Sequence, residues 1–72
     1  METTIHQAIQ QAITAHKAGK LEEAENLYRE ILETQPTHPD AHYNLGNVMI
    51  DLARFKEAEA SYKKAIELKP DY

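Results

Sequence analysis

An all-α fold, two antiparallel helical hairpins stacked side by side, is predicted by three features of this 72-residue chain. The chain repeats itself at an offset of 34 residues. Apolar residues recur at the spacing of a helix face rather than that of a strand. Glycine and proline stand where the pattern breaks, as they do between helices.

The repeat is read by sliding the second half onto the first. Glu23 meets Glu57, Ala24 meets Ala58, Glu25 meets Glu59, Tyr28 meets Tyr62, Glu33 meets Glu67 and Pro36 meets Pro70. Near-matches fill in between: Lys20 with Arg54, Leu21 with Phe55, Arg29 with Lys63, Leu32 with Ile66. A period of this size marks a stacked array of supersecondary units. The expected organisation is one domain over residues 1–72, with units at 5–38 and 39–72 and four residues leading in.

The first helix is expected to present Ile5, Ala8, Ile9, Ala12, Ile13 and Ala15 on its apolar side, with Thr3 or Thr4 as its cap. Gly19 suits the left-handed position that closes a helix. The second helix carries Leu21, Ala24, Leu27, Tyr28, Ile31 and Leu32, has acids in its first turn, and ends at Pro36. The linker Gln35-Pro36-Thr37-His38 is short, so the third helix must double back. Thr37 and Asp40 have the spacing of a capping box, and Pro39 fits a first turn. The third helix is expected to bury Ala41, Leu45, Val48, Met49 and Leu52. The fourth is expected to bury Phe55, Ala58, Tyr62, Ala65 and Ile66 before Pro70 ends it.

Composition narrows the function. The net charge is −4 and the eight basic residues are scattered among acids, which disfavours nucleic acid and acidic membrane surfaces. No apolar run approaches the roughly 20 residues of a spanning helix. Met1-Glu2-Thr3-Thr4 is unlike the start of a signal peptide, so a cytoplasmic protein is expected. With no cysteine, disulfides cannot staple the fold.

Chemistry-bearing residues are few. His38 and His42 are four apart, but Pro39 lies between them and no third ligand is evident, so they read as linker and packing. The many acids lie on helices that also carry cations, with i,i+4 pairs at Glu25–Arg29 in the second helix and Glu59–Lys63 in the fourth, and read as a solvated face. Ser61 and the threonines have no base beside them, and no phosphate-binding glycine loop is present. No catalytic residue, metal or cofactor is expected.

Residues 39–72 resemble a tetratricopeptide repeat. Leu45-Gly46, Ala58, Tyr62, Ala65 and Pro70 fall on the family's pattern, with His42 in place of tryptophan and Met49 in place of tyrosine. Residues 5–38 follow it at Ala24, Tyr28 and Pro36, with Ala12 as the small residue. They depart from it at Ala8, Gln11 and Ile31. The resemblance implies a right-handed solenoid whose first helices line a concave groove for a protein or peptide. Groove residues would be Tyr43, Asn44, Asn47 and Ile50, with Gln10, Ile9 and Ile13 from the first unit. Asparagines at the place of Asn44 hold peptide backbones in related glycosyltransferase arrays. The lysines of the family's carboxylate clamp are replaced by Ile9 and Tyr43, so acidic C-terminal tails are not expected ligands.

Two alternatives accompany the peptide-groove reading. The chain ends at Tyr72, two residues past Pro70, with no room for the polar closing helix usual in the family. Ala65 and Leu68 would then widen an apolar stripe toward a second copy, with the Ile5, Ile9, Ile13 strip as another self-association surface. The other alternative is the non-catalytic targeting arm of a larger enzyme.

Overall fold

The computed structural model describes residues 4–71. Four α-helices run in order: α1 (Ile5–Lys17), α2 (Leu21–Thr34), α3 (Pro39–Asp51) and α4 (Phe55–Leu68). No strand occurs among the described residues. The starts of α1 and α3, and those of α2 and α4, are both separated by the 34 residues of the internal repeat. Each hairpin packs on itself, and α2 packs on α3 to join the two.

Caps set the helix boundaries. Thr4 opens α1 with a reciprocal box. Its hydroxyl accepts from the Gln7 N–H at 3.1 Å, and its own N–H donates to Gln7 Oε1 at 3.0 Å. Thr3, the alternative cap, lies outside the described residues. The expectation for α3 is corrected. His38 is the cap, not Thr37, and its Nδ1 accepts from the Ala41 N–H at 3.2 Å. The reason is local: His38 is extended (φ −85, ψ 107) and directly precedes Pro39, so Thr37 stands one residue too far back.

Both hairpin turns close identically. After α1, the Lys20 N–H reaches the Ala15 carbonyl and the Gly19 N–H reaches that of His16. After α3, Arg54 reaches Met49 and Ala53 reaches Ile50. This double closure requires a left-handed residue, Gly19 at φ 79 in the first turn and Ala53 at φ 60 in the second.

The core follows the predicted stripes closely. Ala12, Ala15, Ala24, Tyr28, Ile31, Ala41, Leu45, Val48, Met49, Ala58 and Ala65 are buried. Leu52 and Tyr62 pack at its margin, as do Ile5, Ala8, Ile9, Leu27 and Leu32. Two expected core residues are not in it: Phe55 is 62% exposed and Ile66 54%. Phe55 is the first residue of α4, and Ile66 flanks the face of α4 that packs on α3, beside a hollow it shares with Tyr43 and Tyr62. Among the described residues no element packs beyond either one.

Small residues decide the crossing of α3 and α4. A Cβ on Gly46 would lie 2.7 Å from the Tyr62 ring, well inside van der Waals contact. The seam between the hairpins is polar at its edge. Glu25 of α2 receives Arg54 at 3.0 Å and Arg29 at 2.9 Å, and Arg29 also reaches Glu57 at 3.5 Å. Among the described residues no helix is long and apolar enough to cross a membrane.

Candidate functional site

The side chains of α1 and α3 face each other across a groove of about 510 Å³, lined by Ile13, His16, Lys17, Tyr28, Asn44 and Asp51. Tyr28, contributed by α2 and fully buried, closes the floor. Burial pushes its hydroxyl above the usual tyrosine range, and the Asn44 side chain, its hydrogen-bond partner, pulls partly the other way. At the end of the groove His16 Nε2 and the Asp51 carboxylate stand 2.6 Å apart and tie the two helices together.

The expected groove residues do not stand together. Ile13 and Asn44 share the groove itself. Tyr43 stacks obliquely on Tyr62, ring centres 5.5 Å apart, and the two line a separate apolar hollow of about 260 Å³ with Ala65 and Ile66. Asn47 Oδ1 accepts the Tyr62 hydroxyl proton, and Ile50 is exposed. Burial, with Tyr43 and Asp51 nearby, pushes the Tyr62 hydroxyl up as well. Ile9 is half-buried against the core.

Gln10 lies elsewhere. It lines a hollow of about 580 Å³ on the outer side of the first hairpin with Gln11, Thr14, Ala18, Lys20 and Glu23 among others. The helical rotation that brings Ile13 to the groove turns Gln10 toward this side. Of the residues marked for self-association, Ala65 is 1% exposed and has almost no surface left to offer a partner, because it packs inside its own chain. Leu68 and Ile5 are half-buried.

Thus Asn44 and Asn47 are not idle surface amides. Each holds a tyrosine of a second helix, Asn44 across the seam and Asn47 within its own hairpin. His16, Lys17 and Asp51 were not expected in the groove. One signal did point to Asp51: a carboxylate in the last turn of a helix opposes the helix dipole and calls for a compensating partner. Two further histidines are structural: His38 is a cap, and His42 Nε2 pairs with the Pro36 carbonyl at 2.8 Å. Among the described residues no three potential ligands stand close enough to hold a metal ion.

The family model for the tetratricopeptide repeat matches residues 15–72. The chain belongs to the tetratricopeptide repeat family. It is similar to a protein O-mannosyl-transferase of Caenorhabditis elegans, 39% identical over 59 residues, covering 82% of this chain and 9% of that protein. A DnaJ protein homolog of Oryza sativa subsp. japonica is 41% identical over 44 residues, 61% of this chain and 9% of its own length. The protein O-mannosyl-transferase TMTC2 of Homo sapiens is 41% identical over 54 residues, 75% of this chain and 6% of its own. The chain therefore spans less than a tenth of the length of these curated relatives. Tetratricopeptide repeats are protein-interaction modules.

Proposed function

We propose that the groove between α1 and α3 binds an extended segment of a partner protein. The observation that carries this reading is the composition of its wall. Ile13 offers apolar contact beside Asn44, whose amide both donates and accepts. Lys17 and the His16–Asp51 pair flank them with charge. A few placed polar groups on an apolar surface suit a peptide, whose backbone needs hydrogen bonds and whose side chains need burial.

The test is selection from a displayed peptide library followed by NMR titration of the best binder. Amide shifts should centre on Ile13, His16, Asn44 and Asp51. Ile13→Glu should weaken binding about tenfold or more while leaving the helical spectrum intact. Shifts centred on the outer faces of α2 and α4 would sink the proposal.

A second reading is favoured by the comparisons. The matching segments are small parts of long proteins, two of them named as transferases. On this reading the chain is a non-catalytic arm that positions a partner for an activity housed elsewhere. It predicts that the isolated chain binds a peptide and turns over no substrate.

A further inference from the structure

The seam between the two hairpins is a template for a contact between copies. Three polar contacts define it: Glu25 with Arg54, Arg29 with Glu57, and Tyr28 with Asn44. Advancing the α2 side by one repeat gives Glu59, Lys63 and Tyr62, all on α4. Moving the other side back by one repeat gives Lys20, Glu23 and Gln10, all in the first hairpin. Every pair keeps its chemistry: carboxylate to cation, cation to carboxylate, phenol to amide.

Among the described residues both half-seams are open. Glu25 is only 12% exposed, whereas Glu59, its counterpart, is 72% exposed and already leans on Lys63 at 3.5 Å as Glu25 leans on Arg29. Ile66 beside it is bare. Gln10, Lys20 and Glu23 line the 580 Å³ hollow of the first hairpin, which corresponds to the place in the second where α2 packs on α3 and Arg29 reaches Glu57 of α4.

We propose that copies of this chain stack head to tail, α4 of one copy seating in the α1–α2 hollow of the next, with Glu59–Lys20, Lys63–Glu23 and Tyr62–Gln10 as the pairs between copies. This does not rest on the peptide groove, which stays open on another side. The contact is weaker than the internal seam, because Leu45 and Val48, buried in α3, are matched in α1 by the exposed Gln11 and Thr14. Such a heterologous contact does not close on itself, so assembly continues past two subunits.

The experiment is sedimentation equilibrium of the whole chain over a concentration series into the millimolar range, with circular dichroism to confirm folding. The average mass should rise without levelling at a dimer. Glu59→Lys and Lys20→Glu should each lower it, and the two in one chain should restore it. Gln11→Leu with Thr14→Val should tighten association about tenfold or more by supplying the missing apolar contact. A monomer that persists in that last variant would overturn the proposal. So would association indifferent to Glu59→Lys, which would mark non-specific clustering. A plateau at two subunits, unaffected by Lys20→Glu, would mean that α4 pairs with α4, and head-to-tail stacking would be wrong.

Discussion

Ala53 closes α3 from the left-handed region at φ 60, the place that Gly19 fills in the first turn. A Cβ there costs about 1–2 kcal/mol, partly offset in the unfolded chain because alanine has less freedom to lose than glycine. Ala53→Gly should therefore stabilise the protein by about 0.5–1 kcal/mol, read as a higher urea midpoint at unchanged slope. A lower midpoint would mean that the turn does not hold this conformation in solution. Asn44 carries the opposite expectation. Removing its amide strands the buried Tyr28 hydroxyl, so Asn44→Ala should cost about 1–3 kcal/mol. In a Tyr28→Phe background most of that cost should vanish, and a double-mutant cycle without coupling would refute the pairing. The sequence made Gly19 legible, and the repeat register placed Ala53 opposite it. It did not reveal Asn44 as structural, because periodicity fixes the direction of a side chain from its own helix and says nothing of what the next hairpin brings.

Helix positions were legible for the same reason that exposure was not. Stripes of small and apolar residues mark α1 to α4, and Gly46 beneath the Tyr62 ring gives one crossing its physical cause. Ile66 belongs to such a stripe, and its counterpart Leu32 packs at the core margin. Ile66 stays exposed because burial depends on a neighbour, and none of the described elements lies beyond α4. The charged seam shows the same dependence. Glu25 and Glu59 look alike in the sequence, each with a cation four residues on, yet only Glu25 also receives Arg54. Glu25→Gln should cost about 1–2 kcal/mol at low salt and less as salt screens the pair. Glu59→Gln, at low protein concentration, should stay within about 0.5 kcal/mol. Equal losses at the two positions would show that the network across α2 and α4 contributes nothing beyond the pair along one helix.

For the molecule as a whole, two tyrosines make stability sensitive to alkali. Tyr28 at the seam and Tyr62 under α3 both have hydroxyls raised above the ordinary value of 10.0, chiefly because the folded chain withdraws them from water. Between the unfolded and folded values the native state holds more protons than the unfolded one, so raising the pH favours unfolding. The stabilisation is fully present below pH 10 and is lost as the pH climbs through the raised folded values. Thermal melts should therefore give a steady Tm from neutral pH to about pH 9 and a falling one above about pH 10. Phenylalanine cannot ionise, so Tyr28→Phe should start from a lower Tm, with Asn44 left unpaired, but fall less steeply in alkali. Tyr28→Phe with Tyr62→Phe should flatten the slope further. A Tm held constant to about pH 11, or a slope unchanged in the doubly substituted chain, would show that folding does not withdraw the two hydroxyls from water.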